Sequence, residues 1–176
     1  KNIIIIILLF TGYSGFSQSQ YSTLTNRVII STIVNSDTVL LENLNNQVRI
    51  NAELDLLEVE YDNSTSRIIG EVKNLPEERA DIKVRFHNEY SWLYDRIKFT
   101  ETSVDFKDEI IVEINGDEQT VPAHFVITRI RGAHGFKVMI EIRGTFNGLG
   151  MEQEFPNLKF ESEINFAIYL RVQVVN

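Results

Sequence analysis

From Glu163 to Val174 apolar and polar side chains alternate residue by residue. Ile164, Phe166, Ile168, Leu170, Val172 and Val174 fall on one side, with Glu163, Asn165, Arg171 and Gln173 on the other. A period of two places successive side chains on opposite faces of an extended chain, so this segment reads as a strand with one face turned to a core. A helix would need a repeat near 3.6 residues, and no stretch of ten or more residues shows one.

The same alternation recurs in Asp81-Ile82-Lys83-Val84-Arg85-Phe86-His87 and in Phe136-Lys137-Val138-Met139-Ile140-Glu141-Ile142-Arg143. Asn115-Gly116 lies between a strand from Phe106 to Ile114 and one from Thr120 to Arg131, and Asn-Gly is a strong tight-turn signal. Gly132-Ala133-His134-Gly135 turns the chain again, and Asp62 to Ser66 separates Val48–Tyr61 from Arg67–Lys73. With three prolines and nine glycines, breaks are few. The pattern predicts an all-β antiparallel meander of eight strands, up to ten, with one short helical turn over Glu89 to Asp95. Long strands with one apolar face favour closure into a barrel, which removes exposed edges. Eight strands enclose either packed side chains or room for one small ligand, and the sequence leaves that choice open.

At the N-terminus, Lys1-Asn2 precedes an apolar run from Ile3 to Phe10, and small residues Gly15 and Ser17 frame a cleavage point before Gln18. That order is the layout of a secretory signal peptide, weighed against a buried N-terminal strand or helix. The run is too short to span a membrane, which takes about 20 apolar residues. Residues 1–17 are accordingly expected to be a signal peptide and 18–176 a single domain, periplasmic or secreted in a bacterial envelope. No cysteine is present, so disulfides, thiolate nucleophiles and cysteine-ligated metals are excluded. With 17 basic against 25 acidic residues the net charge is −8, a surface that repels phosphate backbones and anionic headgroups. Nucleic acid is therefore not expected as a partner; homo-oligomerisation stays open.

No catalytic constellation emerges. The three histidines, His87, His124 and His134, lack paired metal-ligand spacing, so no metal is expected. Asp105, Asp108 and Glu109 crowd one stretch and Glu77-Glu78 follows Pro76, which reads as a solvated face rather than an acid–base pair. The glycines of Gly144 to Gly150 fit no phosphate loop, no Gly-x-Ser-x-Gly elbow occurs, and no loop has EF-hand spacing. The chain is expected not to be an enzyme.

Aromatic residues are the remaining asset. Tyr90, Trp92 and Tyr94 cluster in the expected helical turn, and Phe86, Phe99, Phe106, Phe125, Phe136, Phe146 and Phe166 spread over the apolar faces. Core packing explains such a set; so does an apolar cavity with the Tyr90–Tyr94 turn at its mouth. The residues expected to line such a cavity are Phe86, Tyr90, Trp92, Phe106, Phe125, Val138, Ile140 and Phe166.

Several stretches taken together resemble the YceI-like family of lipocalin-shaped lipid-binding proteins of the bacterial envelope. Glu42 to Val48 is similar to an early Asn-rich turn that leads into the family's second strand. Phe86-His87-Asn88-Glu89-Tyr90, with Tyr94 to Phe99 behind it, resembles the family's Phe-Asn-Glu-Asn-Tyr helix and following strand. Glu113 to Pro122 resembles its late hairpin, and Gly150-Met151 with Pro156 and Phe160 its closing segment. Two departures stand out: Ile97 occupies the place of the proline in the family's Lys-Tyr-Pro step, and Asp117-Glu118-Gln119 replaces the usual Thr-Lys. The resemblance implies an eight-stranded antiparallel lipocalin-like barrel that sequesters or transports a long-chain amphiphile such as a polyisoprenoid, a quinone or a fatty-acid-like lipid. A long alkyl tail would suit it, since each buried methylene contributes about 0.8 kcal/mol. The alternative expectation is a non-catalytic structural or protein-interaction β module.

Overall fold

The structure, a computed structural model, describes residues 20–34, 37–51, 56–62, 65–69, 83–89, 103–132, 135–148 and 163–175. The described chain is all-β. Ten strands run in sequence: β1 Gln20–Val34, β2 Asp37–Asn43, β3 Gln47–Asn51, β4 Leu56–Asp62, β5 Arg67–Ile69, β6 Lys83–Glu89, β7 Ser103–Ile114, β8 Asp117–Gly132, β9 Gly135–Asn147 and β10 Glu163–Val175. They form one antiparallel sheet in the order β3-β4-β6-β7-β8-β9-β10-β1-β2-β5. No helix occurs among the described residues. The expected helical turn lies outside them, except that Glu89 ends β6 as a strand residue.

Local chemistry explains the long central hairpin. Ile114 pairs with Asp117, leaving Asn115 and Gly116 as a two-residue loop with φ of 51° and 95°. Two positive φ angles match a type I′ turn, whose twist fits the flanking strands, and Asn-Gly tolerates them best. β7 to β10 then continue as a meander, and β10 returns to lie beside β1 from Gln20↔Val175 to Ser31↔Asn165.

The sheet is strongly curled. Phe86 on β6 and Phe166 on β10 are four strand positions apart, which in a flat sheet is about 19 Å at about 4.8 Å per step. Their ring centroids are 4.8 Å apart. The inner face therefore wraps onto itself, and residues from nearly every strand, including Val28, Val59, Phe86, Val112, Phe125, Ile140 and Ile168, share one core.

The hydrogen-bonded ladder does not close, which corrects the expectation of a sealed ring. β3 and β5 are its two edges, and they are short, five and three residues, which leaves little template for another chain. Both edges lie where the chain crosses the gap, at Leu44–Asn46 between β2 and β3 and after Asp62 between β4 and β5. Asparagines bridge this seam. Asn43 Nδ2 donates to the Asp62 carbonyl (2.9 Å) and to Thr65 Oγ1 (2.7 Å), and Asn43 Oδ1 accepts from the Asn45 amide (2.8 Å). Asn26 Oδ1 accepts from the Asn46 amide (3.0 Å) and from Asn46 Nδ2 (2.9 Å), while Asn26 Nδ2 donates to the Asn46 carbonyl (2.9 Å). Side-chain amides supply both donor and acceptor, so they can stand in for a ladder where strands bend apart.

Outside the seam, Glu42 on β2 is buried beneath two guanidinium groups, Arg27 from β1 and Arg67 from β5. Burial pushes its carboxyl up, but the hydrogen bonds from Arg67 and Arg27 outweigh this and hold it below its ordinary value. The ionised form is thus favoured by folding. Its contribution is present above the unfolded carboxylate value of about 4.3 and is lost as pH falls through the lowered folded value. Glu42→Gln is expected to cost about 1–2 kcal/mol at pH 7, at the low end because both arginines are substantially exposed. Urea denaturation at pH 7 and pH 3 should show the wild-type advantage shrinking with acid; an equal gap at both pH values contradicts the assignment.

Candidate functional site

The concave inner face is the candidate site, and strand alternation builds it. On β6 Val84 and Phe86 point inward; on β8 Val121, Ala123, Phe125 and Ile127; on β9 Val138, Ile140 and Ile142; on β10 Ile164 through Val172 at every second position. Six of the eight expected lining residues are described, and all six lie on this face. Phe86, Phe125, Val138, Ile140 and Phe166 are 0–3% exposed, and Phe106 is half-buried against them. Tyr90 and Trp92 lie outside the described residues.

The rings fall into two groups. Phe106 and Phe125, cross-strand partners on β7 and β8, stack with centroids 5.2 Å apart and planes within 3°. Phe86, Phe146 and Phe166 form a second cluster, with Phe146 6.1 Å from Phe86 and 6.0 Å from Phe166. Aromatic contacts of this kind add about 0.5–1.5 kcal/mol each beyond burial. Gly144 makes the second cluster fit. A Cβ there would sit 2.6 Å from Phe166 Cζ and 2.9 Å from the Pro122 carbonyl, so only glycine lets the Phe166 ring lie over β9. At this level the interior is filled by rings.

Elsewhere the inner face is less covered. Leu41 on β2, Val48 and Ile50 on β3, and Phe106 on β7 are only partly buried although they pack on the core. The buried inner side chains are mostly hydrocarbon; besides the seam asparagines, the Tyr61 phenol is buried, and Arg129, next in the inward series of β8, has a buried Nε. Such a surface can hold an apolar guest.

The outer face carries the charge. His124 pairs with Asp105 across β7 and β8, both well exposed. Over β1, β10, β9 and β8 runs a groove of about 610 Å³ lined in part by Arg27, Val126, Ile130, Met139 and Tyr169. Arg27 and Arg143 lie over the two sides of the Tyr169 environment, 5.8 and 6.0 Å from its ring centre. Met139 and, at the seam, Leu44 are each 47% exposed.

Sequence reasoning did not single out Phe146, Tyr61 or the seam. Tyr61 had a signal, since Leu57, Val59 and Tyr61 alternate with Glu58 and Glu60, and all three are buried. The asparagines of Glu42 to Val48 were visible as a turn, but their bridging partners Asn26, Asp62 and Thr65 were not, because these depend on which strands the curl brings together. Among the described residues no helix is long and apolar enough to cross a membrane. Comparison with protein-family models and with curated proteins finds no match for this chain.

Proposed function

We propose that this chain is an exported, non-catalytic carrier of a long-chain amphiphile, a divergent YceI-like protein with a lipocalin-like architecture. Support for the architecture comes from the strand pairing. β2 pairs with β5 while β3 pairs with β4, so β2 with β3 and β4 with β5 act as the two interrupted arms of one long hairpin. Counted this way the ten elements make eight passes of a meander, with β10 beside β1 and asparagines spanning the interruption. A barrel of eight passes would be wide enough inside for packed side chains or for one small ligand.

The observation that carries the functional reading is the largely hydrocarbon inner face with its four partly covered members, Leu41, Val48, Ile50 and Phe106. An alkyl or isoprenoid tail laid against them gains about 25 cal/mol for each Å² of apolar surface removed from water. Its polar head would stay outside. Native mass spectrometry of the purified protein is expected to reveal a co-extracted lipid, and the delipidated protein is expected to bind a fluorescent polyprenyl probe. Absence of both results overturns the carrier reading.

One observation favours a second reading, a protein-interaction module of the bacterial envelope. The Phe86–Phe146–Phe166 cluster fills one level of the interior, and the outer groove exposes Met139 beside Val126 and Ile130. A chain that lacks lipid and self-associates or pulls down a partner through that groove would fit this reading instead.

A further inference from the structure

On the outer face, at the end of the β7–β8 hairpin, three strands bring together a set of side chains that the sequence separates widely. Arg85 on β6 is in register with Glu113 on β7, and Glu113 is in register with Glu118 on β8. His87 lies two residues beyond Arg85 on the same face of β6. Two carboxylates directly opposite each other in an antiparallel pair repel, so this position is costly without a cation. Arg85 answers part of the charge. It pairs with Glu113 and lies 3.6 Å from Glu58 on β4, which Arg49 also meets at 3.4 Å, so Glu118 is left without a guanidinium of its own.

His87 faces the remaining deficit. Its side chain is 16% exposed, and its Nε2 is buried with no hydrogen-bond partner. That nitrogen is 3.8 Å from Glu113 Oε2 and 3.6 Å from Glu118 Oε1, and the three donor atoms all lie within 4.8 Å of one another. Zinc takes imidazole nitrogen and carboxylate oxygen at about 2.0–2.2 Å, which puts neighbouring tetrahedral ligands roughly 3.3–3.5 Å apart. The two nitrogen–oxygen separations therefore have to contract by only a few tenths of an ångström, and the two carboxylate oxygens, within 4.8 Å of each other, by up to about 1.5 Å. Glu118, whose side chain is 55% exposed, has room to move. Glu113 Oε2, the oxygen nearest His87, is also the one that Arg85 holds, so on metal binding Arg85 shares that oxygen or shifts to Oε1, and it keeps Glu58.

We infer that His87, Glu113 and Glu118 form a binding site for a divalent transition-metal ion, with zinc as the best fit. One imidazole with two carboxylates is a borderline donor set; calcium and magnesium prefer oxygen alone. Three protein ligands leave a fourth position for water or for a ligand atom from a partner. The site is on the outer face, so it stands independently of any guest in the interior.

Isothermal titration of the full chain with zinc chloride tests it. Saturation at one zinc per chain is expected, with His87→Ala and Glu118→Gln each binding roughly 10- to 100-fold more weakly. Circular dichroism on both variants checks the fold, and the exposed Glu118 provides a variant that leaves the core untouched. Cobalt(II) is expected to give the intense visible bands of four-coordinate geometry in wild type and to lose them in His87→Ala. Calcium is expected not to compete. No zinc binding, equal binding by wild type and both variants, or displacement by calcium would each overturn the assignment.

Discussion

Phe86→Ala is expected to lower the stability of the fold by about 3–5 kcal/mol, a fall in melting temperature of roughly 10 °C or more. The ring is fully buried and touches Phe146 and Phe166 from the opposite side of the curl. Truncation removes its transfer energy and leaves a void, and Phe166, already so close over Gly144 that no Cβ fits between them, has a fixed place over β9 from which to resist collapse. The void is lined by hydrocarbon and should remain dry, so it should admit a small apolar probe such as benzene. Chemical denaturation with and without benzene measures both effects. A loss below about 1 kcal/mol, or no protection by benzene, would show that the rings are not packed across the interior.

The second large effect concerns the seam. Asn43→Ala removes the donor to the Asp62 carbonyl and to Thr65 Oγ1 and the acceptor for the Asn45 amide, at a residue 2% exposed. Each buried polar group deprived of its partner costs about 1–3 kcal/mol. Thr65 Oγ1 still reaches the Asp62 carbonyl at 3.2 Å, which offsets part of the loss, so about 2–4 kcal/mol is expected in all. Asn43→Asp separates size from chemistry. It keeps the acceptor but aims a carboxylate oxygen at the carbonyl, and it should be at least as damaging as alanine. Hydrogen exchange should quicken first at Asn45, Asn46 and β5. Unchanged exchange there, with unchanged stability, would mean that the seam is held by other contacts.

These two effects differ in how far the sequence foretold them. The inner set of β10, from Ile164 to Val172, follows directly from alternation, and each member is at most 3% exposed. The Asn115-Gly116 hairpin was legible because its turn chemistry is local. Phe86, Phe125 and Phe166 were assigned to the right face for the same reason. Their mutual contacts were not foretold, because the distance from β6 to β10 depends on curl, and curl is a property of the whole sheet. The outer cluster behaves likewise. His87 and the carboxylates flanking the turn were each visible, but alternation says nothing about which strand lies beside β7. Tight local signals survive translation into structure; polar groups that meet only through tertiary geometry do not announce themselves.

The pairing of β1 with β10 has a kinetic consequence. It joins the first described strand to the last, so the chain must close its largest loop before this ladder forms. Topologies dominated by such distant partners fold slowly. β2 can pair with β1 as soon as it is made, but the other edge of β1, along Gln20 to Ser31, has no partner until residues 163–175 are made. Until then that unpaired edge is a template on which a second unfolded chain can add, so aggregation during refolding should rise steeply with protein concentration.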